Sequence, residues 1–129
     1  MEEKEQELML KLSMFEQQMR QLQQQFQAVD ESITELMSLD IGLDEIKGST
    51  GKEFLAQIGR GIFVKAEIKS EDLTVNVGNK NLVKKSVPET KEILKEQIEK
   101  LEGVKKGLEE KMDEVQEEAK RLILEAQKE

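Results

Sequence analysis

The most regular feature of the chain is a run of apolar residues, Leu8, Leu12, Phe15, Met19, Leu22, Phe26, Val29, Ile33 and Leu36, spaced alternately four and three apart. That spacing repeats every seven residues and lays the side chains along one narrow stripe of a helix. The stripe is interrupted at Asp40 and resumes at Leu43. A second run, Leu94, Ile98, Leu101, Leu108, Met112, Val115, Ala119, Leu122 and Ala126, obeys the same rule, with Lys105 as its one polar position and Val104 beside it. A strict seven-residue repeat winds a helix left-handed around a partner, so each stripe needs another helix to lie against. Gly103 and Gly107 fall outside the second stripe and do not interrupt it.

Between the two runs the period changes to two. Ile62, Val64, Ala66 and Ile68 alternate with Phe63, Lys65 and Glu67, and Leu73, Val75 and Val77 alternate with Thr74 and Asn76. This is the pattern of half-buried strands. Gly59-Arg60-Gly61, Ser70-Glu71-Asp72 and Gly78-Asn79-Lys80-Asn81 punctuate it as turns, which predicts short strands at about 54–58, 61–69, 73–77 and 82–85, paired as two β-hairpins. Gly48 can end the first helix, and Ser86 with Glu89 forms an S-x-x-E capping box for the second, with Pro88 tolerated in its first turn.

The expected fold is therefore α+β, one domain over residues 1–129. A coiled-coil helix (1–47) and its antiparallel partner (88–129) are joined by a β-hairpin platform (48–87). At about 1.5 Å per residue, roughly 40 helical residues give a hairpin of about 60 Å. Two small β-hairpins are marginal alone and leave strand edges open, so their strands are expected to pair with those of other subunits. The apolar residues expected to carry that assembly are Phe54, Ile58, Ile62, Phe63, Val64, Ile68, Leu73, Val75, Val77, Leu82 and Val83.

Composition narrows the function. The chain of 129 residues is 37% charged, has four Phe as its only aromatics, and lacks Cys, His, Trp and Tyr. Without His and Cys it has none of the usual zinc ligands and no imidazole or thiolate for catalysis. No enzymatic activity, cofactor or metal is expected. The net charge of −8 disfavours nucleic acid and anionic membranes, no apolar stretch approaches the roughly 20 residues of a bilayer span, and the N-terminus is acidic. A soluble, cytoplasmic protein is expected. The charge is uneven: four basic against eleven acidic residues in 1–47, seven against four in 48–87, and nine against thirteen in 88–129. The basic middle, with Arg60, Lys65, Lys69, Lys80, Lys84 and Lys85, is interrupted by acids and has only Phe54 and Phe63 for stacking, a poor nucleic-acid surface.

Two glycine motifs fail on inspection. Gly48-Ser49-Thr50-Gly51-Lys52 lacks the first glycine of a phosphate-binding loop, where Ile46 stands, and the hydroxyl after the lysine, where Glu53 stands. Gly59-Arg60-Gly61 has Val64 where a dinucleotide fingerprint needs its third glycine. What stays informative is apolar surface off the stripes. Met9, Leu10 and Met14 near the start of the first helix, and Ile123 and Leu124 near the end of the second, come together at the distal tip of an antiparallel hairpin, where the stripe residue Leu8 joins them as a candidate client contact. These residues read either as packing between subunits, end fraying or chance, or as an adaptable apolar patch that suits a binder of unfolded polypeptide, because Met and Leu adapt to partners of varied shape.

The order helix, two hairpins, helix, with FLAQIGRGIFVKAEI at Phe54–Ile68, LTVNVGNKNLVKK at Leu73–Lys85 and a proline at the start of the second helix, resembles an α-type subunit of prefoldin over nearly the whole chain. The block I-G-x-G-x-F-V-x-A followed by V-x-V-G at Val75–Gly78 is its specific part. Gln57 stands where the family often has proline, and Asn79-Lys80-Asn81 replaces a stretch that is often aromatic. The resemblance implies a hexamer of two α-type and four β-type subunits, with hairpins forming an intersubunit β-barrel platform. It also implies capture of non-native polypeptides between coiled-coil tips, delivery to a group II chaperonin, and no nucleotide site. The alternative is a structural or adaptor coiled coil that binds one folded partner.

Overall fold

The computed structural model describes residues 2–128. In chain order it contains α1 (Glu2–Leu43), a 3₁₀ turn (Asp44–Ile46), strands β1 (Glu53–Gly59), β2 (Ile62–Glu67), β3 (Leu73–Asn76) and β4 (Leu82–Lys85), and α2 (Val87–Lys128). The chain divides into two units. The first joins α1 up to Thr34 with α2 from Glu99; the second is Glu35–Ile98.

In the first unit the heptad residues pack as the spacing predicts. Leu22, Ile33 and Val115 are buried, and Leu12, Phe15, Met19, Phe26, Leu101, Leu108, Met112 and Leu122 are half-buried, while most of their neighbours off the stripe face solvent, Asp30 and Ser32 being half-buried. The polar stripe position Lys105 is answered across the seam: its Nζ donates to Asp30 Oδ1 at 2.8 Å and stands 5.3 Å from the centre of the Phe26 ring. That bond, above all, holds the Lys105 ammonium above the usual lysine range. Ala126 departs from expectation and is exposed. The next stripe position of α1 before Leu8 is the polar Glu5, and both line the open depression that Ala126 borders.

In the second unit, Leu43, Val87 and Leu94 form a buried cluster, with Leu36, Ile46 and Leu73 packed against it. Leu73, expected to serve assembly, is thus engaged within its own chain and seats the second hairpin on the helix ends. α1 stops earlier than residue 47, tightening into the 3₁₀ turn before Gly48 takes the left-handed conformation (φ 70°) that glycine adopts without steric cost. The Gly48 N–H donates to the Glu71 carboxylate, and the buried Ser49 hydroxyl donates to the Ile46 carbonyl. The capping box is formed: Glu89 N–H donates to Ser86 Oγ at 3.2 Å, and Ser86 N–H to Glu89 Oε1 at 3.5 Å.

The strands make two separate antiparallel pairs, β1 with β2 and β3 with β4. Strand β2 is shorter than expected, but Ile68 extends the pairing, donating to the Lys52 carbonyl at 3.0 Å and accepting from Gly51 N–H at 2.7 Å. The register shifts between Gln57 and Gly59, which leaves Ile58 without a cross-strand partner as a bulge. The second hairpin turns through Asn79 and Lys80, both left-handed, closed by Asn81 N–H donating to the Gly78 carbonyl at 2.9 Å. Val77 lies in this connection, beyond the end of β3.

Lys91, one heptad step before Leu94, donates to Asp44 Oδ1 at 2.7 Å. This bond is the main reason that the Asp44 carboxyl is held below its ordinary 3.8 and the Lys91 ammonium above its ordinary 10.5, with Asp40 adding to the latter. A lowered acid stabilises the fold above its unfolded value and loses the contribution as pH falls through the lowered one; a raised base behaves conversely. An Asp44→Asn, Lys91→Met double-mutant cycle should therefore show favourable coupling near neutral pH. Denaturation titrations should find that coupling lost well below pH 3.8.

Candidate functional site

Two exposed apolar surfaces stand out, one in each unit. In the first unit the beginning of α1 and the end of α2 lie side by side, since Leu8, Leu122 and Ala126 border one open depression of about 600 Å³. Leu8 itself is half-buried in the seam. Met9, Leu10 and Met14 are 71%, 65% and 62% exposed, although each is large and apolar, and Ile123 and Leu124 are exposed on α2. A groove of about 720 Å³ adjoins the depression, lined by Met14, Phe15 and Leu122 together with Gln17, Gln18, Gln21 and the charged Lys11, Glu118, Arg121 and Glu125.

In the second unit the first hairpin is apolar on one whole face. Phe54 opposes Ala66, Ala56 opposes Val64, and Ile62 continues the row. Phe54, Ile62 and Val64 are all exposed. The opposite face carries Glu53 against Glu67, Leu55 against Lys65 and Gln57 against Phe63. On the second hairpin Leu82 and Val83 are exposed, as is Val77 in its connection, whereas Val75 and Leu73 are half-buried. Ile58 on the bulge is exposed and Ile68 half-buried.

Among the described residues, no three His, Cys, Asp or Glu side chains are grouped to hold a metal ion, and no helix is long and apolar enough to cross a membrane. The chemistry the two surfaces offer is burial of apolar area against something outside the chain.

The family model for the prefoldin subunit matches residues 15–129. The chain belongs to the prefoldin family. It is 32% identical over 92 residues to the prefoldin α subunit of Methanosphaera stadtmanae, covering 71% of this chain and 67% of that one. To the prefoldin α subunit of Methanobrevibacter smithii it is 33% identical over 97 residues, covering 74% and 66%. The matches thus span about two thirds of these prefoldin relatives. Its fold is similar to that of a filamentous prefoldin from Methanocaldococcus jannaschii, with a TM-score of 0.80 at 21% identity, over 89% of this chain and 97% of that one. The two long helices and two small hairpins are the prefoldin fold.

Some exposed apolar residues escaped the sequence reading. Leu55 is 64% exposed beside the polar residues of the first hairpin, and Met37, Leu39 and Ile41 are exposed on the last turns of α1. The heptad rule could have flagged the latter, since none falls on the 36, 40, 43 stripe. The groove glutamines carry no such signal, because a polar residue off the stripe is what any solvated helix face contains.

Exposure separates the two classes of apolar residue energetically. Met9→Ser and Met14→Ser should each change stability by less than about 0.5 kcal/mol, whereas Leu22→Ala should cost about 2–4 kcal/mol. Chemical denaturation of the three variants measures the contrast.

Proposed function

We propose that this chain is the α-type subunit of an ATP-independent prefoldin chaperone in the cytoplasm. Its hairpins join those of β-type subunits in an α2β4 hexamer with a β-barrel platform. Its coiled-coil end captures non-native polypeptides and passes them to a group II chaperonin. The observation that carries the reading is the group of large apolar side chains, Met9, Leu10 and Met14 with Ile123 and Leu124, left in solvent where the start of α1 and the end of α2 meet. Leaving them in water has no folding benefit, and their flexibility suits clients of varied shape.

The platform reading is supported by the exposed apolar face of the first hairpin and by strand edges that have no partner among the described residues. A two-stranded sheet exposing Phe54, Ile62 and Val64 gains most by being covered. Several coiled coils projecting from one platform would bind a client through many weak contacts, each released singly, which gives avidity without a deep pocket and without a nucleotide. No step of this cycle requires a catalytic residue or a cofactor.

Replacing Met9, Leu10, Met14, Ile123 and Leu124 together by Ser should leave the assembly mass unchanged and abolish suppression of aggregation of a chemically denatured client. Suppression equal to that of the unaltered protein would sink the capture reading. The triple change Phe54→Ser, Ile62→Ser, Val64→Ser should instead leave both helices intact by circular dichroism and reduce the co-expressed complex with β-type subunits to smaller species in sedimentation. A full-sized complex would argue against the platform.

A further inference from the structure

We infer that the groove beside the helix seam reads polypeptide backbone, so that the segments this chain captures are extended rather than helical. This rests on the capture reading and names its substrate class. The groove joins an apolar lining, Met14, Phe15 and Leu122, to the carboxamides of Gln17, Gln18 and Gln21. All three glutamines are exposed, and among the described residues none of their amides is hydrogen-bonded within the chain.

A carboxamide offers two donors and an acceptor, the complement of a peptide group. A helical client has already satisfied its backbone and presents only side chains, so it selects a groove that is apolar throughout. An unfolded segment carries a free N–H and C=O at every residue, which lose water as its side chains enter the groove and then need partners. The spacing fits that task. Gln17 and Gln18 each lie one helical turn from Gln21, about 5–6 Å between Cβ atoms, close to the roughly 6.6–6.8 Å between alternate residues of an extended chain. Gln18 and Gln21, one turn apart, can thus address two alternate peptide groups, while the intervening side chain rests on Met14, Phe15 and Leu122.

The charged lining is balanced, Lys11 and Arg121 against Glu118 and Glu125, in a chain whose net charge is −8. A neutral segment meets no net field there. Backbone recognition is blind to sequence, which is what capture of unrelated unfolded chains demands.

The test uses the complex assembled with β-type subunits and three labelled peptides of one alternating Leu/Ser sequence: unmodified, N-methylated at alternate residues, and stapled as a helix. Fluorescence anisotropy should show the unmodified peptide binding at least about tenfold more tightly than either modified form. The Gln18→Leu, Gln21→Leu protein should lose most of that preference. Equal binding of the N-methylated peptide, tighter binding of the stapled helix, or no binding of any peptide overturns the inference. Client aggregation assays on the same preparations separate the two readings. If suppression still depends on Met9 and Leu10 while N-methylation has no effect, only backbone recognition falls; if Met9→Ser, Leu10→Ser protein suppresses as well as the unaltered one, the capture reading falls.

Discussion

Everything in this molecule depends on the packing of two seven-residue stripes against each other. With four aromatic residues and no Trp or Tyr, the chain cannot fill a conventional globular core. It commits its aliphatic side chains instead to a seam one residue wide on each helix. A seam of near-equivalent Leu, Ile and Val has poor memory of register, since sliding by one heptad exchanges one apolar contact for another. The lysines at Lys91 and Lys105 break that degeneracy within their respective units. Each finds an aspartate on the other side of the seam, Asp30 in α1 or Asp44 in the turn that follows it, and shifting the helices by a heptad would take that carboxylate away from the ammonium. Their worth lies less in strength than in selecting one alignment, the role best attested for polar residues in coiled-coil seams.

The helices, the capping box and both hairpins were readable in advance because each is specified by residues close in sequence. Ser86 and Glu89 cap α2 as their spacing requires, and the turn at Asn79 and Lys80 falls between the strands it was expected to join. What escaped was everything set by a distant partner. Lys105 looked like a flaw in the second stripe until Asp30 and Phe26 were found around it. The alternation of β3 gave no sign that Leu73 also packs against the ends of both helices. Ala126 obeys the heptad rule but is exposed, because periodicity on one helix says nothing of where the stripe on the other begins.

The candidate surfaces divide in the same way. Met9, Leu10 and Met14 were conspicuous because they violate a strong local pattern, and a large apolar residue off the stripe has few reasons to exist on a solvated helix. Leu55 and the groove glutamines violate nothing. They gain meaning only from the surfaces beside them: Leu55 shares a sheet face with Phe63 diagonally across the strands, and the glutamines share a groove with Phe15 and Leu122.

Glu53 and Glu67 are set directly opposite each other at the open end of the first hairpin. Like charges facing across a strand pair weaken it, and neither carboxylate is exchanged for a cation within the pair. The open end of the first hairpin, rather than its bulged turn, is therefore where this strand pair is electrostatically weakest.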